Sequence, residues 1–469
     1  MRKINILWAE DNSTTFALHE GNLRSFLGAR GISATITRAE DGNAVFRHLS
    51  YPELRFAALL TDIDMPHFNG LDTVKALKKQ YPGLPMIVVS DYTTSPEYAP
   101  ILSELSDTKV ITGYFAVQSE EAWFEATWHA VARTAPTILH LSDIHFGSDH
   151  AFQAKLGIGD LITIALRNIT KGGPIDLVVV SGDLTSEGTE DEFRQADEFL
   201  FSVAQTLEID VNRFVIVPGN HDIYRREEVG RRFSKFVEFL DGFYRRSADP
   251  MVAFSRYPDL YDVHREWLHW DAKKHSEQSL YSISIYDELE TVVIGLNSVI
   301  SSGELRLDLS KIEPKQLISV SDALDELGSP RSNYFRVAVF HHNPFVVPSF
   351  SAEGEPERVV RNPALVLHEL IKNQVRLVLH GHSHYSIGFK YVPLFLEEDK
   401  RTSAPLHVFG AGTLSGKDLA VAQSYYHFTT IRCELNEEGS VTSVGVTPYR
   451  LKDDRLDWQS LQRVDVILQ

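Results

Sequence analysis

Short apolar runs alternate with longer stretches of helical period along the N-terminal part of the chain. The run Lys3 to Ala9 predicts a strand that ends in Glu10-Asp11, and a helical pattern follows from Ser13 to Gly28. The pattern repeats as a strand near Ala34 to Thr37, a helix near Gly42 to His48 and a strand at Ala57 to Thr61 that ends in Asp62. Asp64-Met65-Pro66 and Asn69-Gly70 come next, then a helix to Gln80 and a strand from Pro85 to Ser90. A weaker unit from Lys109 to Phe115 and a last helix through Trp123 to Arg133 complete the series. Strands and helices in alternation predict an α/β fold with a doubly wound parallel sheet.

After Thr134-Ala135-Pro136 the strand pattern restarts, and five apolar runs each stop at donor side chains. Ile138 to Leu141 leads into Ser142-Asp143-Ile144-His145, and Leu177 to Val180 into Ser181-Gly182-Asp183. Phe214 to Val217 stops at Pro218-Gly219-Asn220-His221-Asp222. Val337 to Phe340 leads into His341-His342-Asn343-Pro344, and Val375 to Leu379 into His380-Gly381-His382-Ser383-His384. The expected domains are therefore 1–134 and 137–469, and so short a linker holds them close together rather than as a free tether.

Carboxylates at the ends of separate parallel strands meet at one sheet edge, where oxygen ligands can hold Mg²⁺. In the first unit these are Glu10, Asp11 and Asp62, with Ser90 beside them. Asp62-Ile63-Asp64-Met65-Pro66 followed by Asn69-Gly70 resembles the acceptor segment of response-regulator receiver domains. That resemblance implies a flavodoxin-like sheet, Asp62 as phosphoacceptor, Glu10 and Asp11 as Mg²⁺ ligands, Ser90 as the switch hydroxyl and a histidine kinase or another signalling partner. Receivers carry Lys-Pro at the end of the fifth strand, where the register from Ser90 offers Thr112, Gly113 and Tyr114, with Lys109 at the start of that strand. Phosphotransfer needs a cation on the transferring oxygens, so a docking module that is never phosphorylated is the competing expectation.

In the second unit Asp143 and His145 are two residues apart, which puts them on one side of an extended segment. The whole donor set exceeds the four ligands of a tetrahedral zinc site and suits two adjacent metals bridged by Asp183. Two metals activate a water and clamp phosphoryl oxygens for in-line attack. Asp143-x-His145, Gly182-Asp183, Gly219-Asn220-His221-Asp222, a histidine ahead of Pro344 and Gly381-His382-x-His384, in that order, resemble the calcineurin-like metallophosphoesterases. The resemblance implies a four-layer α/β/β/α sandwich and two divalent transition metals, Mn, Fe or Zn. It implies that Asp143, His145, Asp183 and His384 bind one metal, and Asp183, Asn220, His382 and a histidine before Asn343 the other. The usual His-x-Pro favours His342, with His341 the alternative. It keeps His221 off the metals and has it protonate the leaving oxygen or stabilise the transition state, with Asp222 orienting it. The later Val293-Ile294-Gly295-Leu296-Asn297-Ser298 and Gly410-Ala411-Gly412-Thr413 resemble strands that shape the site wall. The spacing most resembles the branch acting on cyclic nucleotides and small phosphodiesters.

Composition changes this picture only at the margins. The chain has 469 residues, 43% of them hydrophobic and 23% charged, which excludes disorder and fibrous repeats. A net charge of −18 disfavours nucleic acid as the main partner. Cys433 is the one cysteine, and no signal segment or long apolar run is seen, so a cytoplasmic, non-membrane enzyme is expected. Between 223 and 279 lies a helical insertion rich in arginine and aromatics, including Arg225, Arg226, Arg245, Arg246, Phe233, Phe236, Tyr244, Trp267 and Trp270. Its plain reading is an amphipathic cap; read instead as a strand-gathering surface, it would make the enzyme a nuclease. A non-catalytic signalling scaffold is the third reading and requires a vestigial metal site. The loop 348–362 is expected at the rim of the pocket.

Overall fold

The computed structural model describes residues 2–30, 32–51, 56–81, 84–108, 110–131, 136–147, 158–170, 174–227, 231–248, 250, 256, 280–299, 310–328, 331–345, 359–384, 386–392, 405–414, 427–436, 440–452 and 457–468. Lys109, Trp267, Trp270 and most of the loop 348–362 lie outside them.

The first sheet is wholly parallel and joins β1 (Arg2–Ala9), β2 (Ile32–Ala39), β3 (Phe56–Thr61), β4 (Met86–Val89) and β5 (Gly113–Phe115) in the order β2-β1-β3-β4-β5. Apolar side chains cover both faces. Leu7, Leu59 and Val88 pack with Val45, Val74 and Leu102 on one side, and Ile6, Leu60 and Ile87 with Leu23 and Trp123 on the other. This is the burial that all-parallel strands require. The helix α1 (Ser13–Ala29) starts where Asn12 Oδ1 accepts from the Thr14 and Thr15 amides, directly after the acidic end of β1.

The rest of the strands form two further sheets. One has the order β13-β14-β12-β11-β10-β9, from β9 (Ser282–Tyr286), β10 (Thr291–Gly295), β11 (Phe335–Val339), β12 (Val375–His380), β13 (Ile387–Tyr391) and β14 (Leu406–Gly410). The other has the order β17-β16-β15-β6-β7-β8, with β18 (Val464–Ile467) also on β16. Its strands are β6 (Thr137–Leu141), β7 (Leu177–Val180), β8 (Phe214–Ile216), β15 (His427–Leu435), β16 (Val441–Lys452) and β17 (Asp457–Ser460). Period-two alternation separates the layers. Ile138, Val179 and Val215 meet Val293, Val337, Val339 and Leu377 between the sheets. Leu139, Val178 and Ile216 pack under helices on one outer face, and Ile294, Ala338 and Val378 on the other. The result is the expected α/β/β/α sandwich.

In the described part of the insertion, Phe233, Phe236 and Tyr244 are buried core and Arg245 and Arg246 pair with Asp241 and Asp197. That is an amphipathic cap rather than an exposed basic aromatic surface.

Candidate metal centre

Five strands end on the same edge of the sandwich, and their loops are tied together by backbone hydrogen bonds. The amides of Ile144 and His145 donate to the Asp183 carbonyl at 2.8 and 3.0 Å, and that of Asp143 to Gly182 at 3.0 Å. The His221 amide donates to Asp183 Oδ1 at 2.8 Å, and the His382 amide to Asp143 Oδ2 at 3.0 Å. The loops approach so closely that two positions need glycine. A Cβ on Gly219 would lie 2.2 Å from the Asp183 amide nitrogen and carboxylate, and one on Gly182, whose φ is +94°, 2.7 Å from the Gly219 nitrogen.

The donors themselves carry strain. Asp143, His145, Asp183, His382 and His384 all have φ between 52° and 66°, the left-handed region that costs energy for residues with a side chain. Strained backbone at five donors gathered in one place marks this edge as a candidate functional site. No pattern in the sequence announced it.

The side chains form three overlapping groups with donor atoms within 4.8 Å of one another: Asp143, His145 and His384; His145, Asp183 and His221; Asp183, His341 and His382. Asp183 belongs to two of them. Its Oδ2 lies 3.7 Å from His145 Nε2 and 3.2 Å from His341 Nε2. His384 Nε2 is 3.2 Å from Asp143 Oδ1, and His341 Nε2 is 3.0 Å from Asn220 Oδ1 and 3.1 Å from His382 Nδ1.

Two placements differ from expectation. His341 rather than His342 lies beside Asp183, Asn220 and His382, whereas His342 Nδ1 is 2.9 Å from Ser298 Oγ. Alternation explains it: Val339 faces the space between the sheets and Phe340 the outer helices, so His341 follows Val339 toward the edge where Asp183 sits. Asp222, expected to orient His221, instead closes the turn. Its Oδ1 accepts from the Thr185 amide and hydroxyl, each at 2.9 Å, and its Oδ2 from the Gly219 amide at 2.9 Å. The His221 ring is held through Nδ1, 2.8 Å from the Ser186 carbonyl. Ser186 carries no sequence signal because its backbone does the work.

One further buried residue supports the centre without any motif to mark it. His140 Nε2 lies 2.8 Å from Ser181 Oγ, and the Ser181 carbonyl lies 2.7 Å from His341 Nδ1, so β6 supports the His341 ring through β7. On the site wall, Thr413 Oγ1 donates to the Asp143 carbonyl at 2.8 Å.

The electrostatics fit a cation-binding cluster. Burial opposes charge on Asp143, yet His384 and His341 hold its pKa down at about 2; His341 and His221 likewise outweigh burial and keep Asp183 well below the usual range. Burial alone would lower His341, but Asp183 and Asp143 drive it up to about 9, which shows how strongly the two buried carboxylates favour positive charge at this point. Burial pushes His145 down to about 3 and His382 well below its ordinary value, leaving neutral imidazoles. Neither ring nitrogen of His145, nor Nε2 of His382, has a hydrogen-bond partner among the described residues. Buried neutral imidazoles facing buried carboxylates fit divalent transition metals.

The profile of the calcineurin-like phosphoesterase family matches residues 136–386, more than half of the chain. The chain belongs to the calcineurin-like phosphoesterases. In this phosphoesterase a response regulator receiver domain precedes the match, at residues 6–107. Solved structures similar to this chain include a receiver domain protein from Clostridium thermocellum, at 19% identity over 28% of this chain and 95% of that one, TM-score 0.23. Another is from Methanospirillum hungatei, at 19% identity over 28% and 94%, TM-score 0.23. A third is the receiver domain of a sensor histidine kinase from Pseudomonas aeruginosa with magnesium in its active site cleft, at 19% identity over 28% and 98%, TM-score 0.23. No curated protein matches the chain.

The receiver's own acidic edge brings Glu10, Asp11 and Asp62 within 4.8 Å. Burial, then Asp62 and Asp11, push Glu10 up to about 7, and burial raises Asp62 against a hydrogen bond from Ser90. Such mutual repulsion is what a bound cation relieves. The fifth strand lies within the expected Lys109 to Phe115 unit and ends with it, but that end falls later than the positions Thr112 to Tyr114 taken from Ser90. The Ser90 amide donates to the Phe115 carbonyl at 3.0 Å, so Ala116, Val117 and Gln118 follow the strand, and Gln118 donates to Asp91 at 2.5 Å. Thr112 precedes that strand and Gly113 and Tyr114 lie within it. Neither register offers a lysine at the strand end.

Among the described residues no helix is long and apolar enough to cross a membrane.

Proposed function

We propose that this phosphoesterase is a two-metal phosphodiesterase acting on a cyclic nucleotide or another small phosphodiester, controlled by its receiver domain. The observation that carries the reading is the sharing of Asp183 between a donor group containing His145 and one containing His341 and His382. Asp143, His145, Asp183 and His384 would hold one ion, and Asp183, Asn220, His341 and His382 the other. Bound there, two divalent ions would supply Lewis acidity and lower the pKa of a water.

The chain's own residues do the rest. Asp183 aligns both halves of the site while its other oxygen anchors the His221 amide. The His221 ring donates from Nδ1 to Ser186, so its Nε2 is the atom that can give a proton to the leaving oxygen when the ring is protonated. Asp222 fixes the turn carrying Asn220 and His221. His342 packs against the His382 ring, with centroids 4.5 Å apart.

The domain division lies at 134–137 in this reading, the receiver binds Mg²⁺ at Glu10, Asp11 and Asp62, and a kinase or another signalling protein engages it in the cytoplasm. The test is hydrolysis of bis(p-nitrophenyl) phosphate and cyclic nucleotides with Mn²⁺, alongside metal analysis. Two bound metals with no turnover of any phosphoester would overturn it.

A further inference from the structure

Arg225 lies three residues beyond Asp222, on the turn that carries Asn220 and His221. Two contacts fix that turn. The Tyr224 amide donates to the Arg232 carbonyl at 3.0 Å, and Gly188, with φ +70°, sits so tightly that a Cβ there would lie 2.7 Å from the Ile223 carbonyl carbon. The backbone leading into Arg225 is thereby packed against Gly188, in the loop whose Ser186 carbonyl holds the His221 ring.

The two neighbouring arginines differ. Arg226 is 77% exposed and pairs with Glu187 at 3.6 Å. Arg225 is partly buried, and its Nε is fully buried with no hydrogen-bond partner among the described residues. Burial lowers its pKa, opposed by the charges of Asp183 and Glu187. Asp183 is committed to the metal-binding histidines, and Glu187 is engaged by Arg226. A guanidinium stays charged at any physiological pH, and leaving one of its donors buried and unpaired is costly. The group that would repay this cost is an oxyanion bound at the centre, which a guanidinium fork meets with two parallel hydrogen bonds.

We propose that Arg225 is a substrate-binding residue whose guanidinium clamps a phosphoryl oxyanion on the His221 side of the metal centre. This inference rests on the phosphoesterase reading and gives it a determinant outside the metal ligands. The fork favours substrates that present free phosphoryl oxygens there.

The experiment compares wild type, Arg225→Met, Arg225→Lys and Arg226→Met, each loaded with Mn²⁺ and checked for metal content and melting temperature. Inorganic phosphate is titrated into each by calorimetry, and kcat/KM is measured on bis(p-nitrophenyl) phosphate. Arg225→Met should weaken phosphate binding and lower kcat/KM by about 30–100-fold, the scale of a lost charge-assisted pair, with metal content unchanged. Arg225→Lys should recover part of that loss, because a lysine restores the charge without the fork. Arg226→Met should match wild type. Wild-type phosphate affinity and kcat/KM in Arg225→Met would overturn the inference while leaving the phosphoesterase reading intact. If metal-loaded wild type turns over no phosphoester, that reading falls, and the phosphate titrations still decide the part played by Arg225.

Discussion

Replacing His221 by alanine separates proton donation from metal binding. The substitution removes the ring and its Nδ1 contact with Ser186 but keeps the backbone amide that anchors Asp183, so the donor cluster should stay assembled. The loss is then that of a general acid, about 10²–10⁴-fold in kcat, equivalent to roughly 3–5 kcal/mol of transition-state stabilisation. An acid matters in proportion to how poor the leaving group is. A cyclic nucleotide, which expels an alkoxide, should suffer the full loss, and a p-nitrophenyl ester, whose anion departs unaided, should lose only about tenfold. The assay is kcat on both substrates with metal content measured on the same samples. Asn220→Ala provides the contrast, because its Oδ1 lies beside His341 and its removal should lower metal occupancy instead. Equal losses on both substrates, or metal lost from His221→Ala, would refute the assignment of a proton to His221 Nε2.

Gly219→Ala should abolish activity and cost about 2–4 kcal/mol in chemical denaturation, since its Cβ would meet backbone and carboxylate atoms of Asp183 at 2.2 Å and neither can retreat. The fold should lose stability in acid through buried neutral imidazoles. Burial, aided by Arg450, depresses His427 to about 4, so its contribution is intact above the unfolded value of about 6.5 and is lost as pH falls toward 4, up to roughly 3 kcal/mol. His427→Leu should flatten the pH dependence of urea midpoints in that window; an unchanged slope would count against it. Beryllofluoride with Mg²⁺ should change phosphoesterase activity in wild type and not in Asp62→Ala, and identical rates throughout would mark the receiver as a passive module.

Much of the molecule is legible in one dimension because each donor follows an apolar strand. Strand ends in parallel sheets converge, so Asp143, Asp183, Asn220 and His382 can be grouped from the sequence alone. The receiver sheet was equally readable, from acids at the ends of β1 and β3 and the hydroxyl after β4. The weak strand β5 is readable in its span but not in its register, since three residues give too little periodicity to set one.

What the sequence determined by itself is the inventory: which side chains stand at strand ends and what chemistry they can perform. Tertiary structure decided which way each one faces. Two adjacent histidines are equivalent in a sequence, but strand alternation points His341 toward Asp183 and His342 toward Ser298. Asp222 sits next to His221 in the chain, yet the turn spends that carboxylate on Thr185 and Gly219 and leaves the imidazole to a backbone carbonyl. Left-handed backbone at five donors and an Arg225 Nε with no partner among the described residues exist only once distant loops are pressed together, because strain and desolvation belong to the packed state rather than to any residue alone.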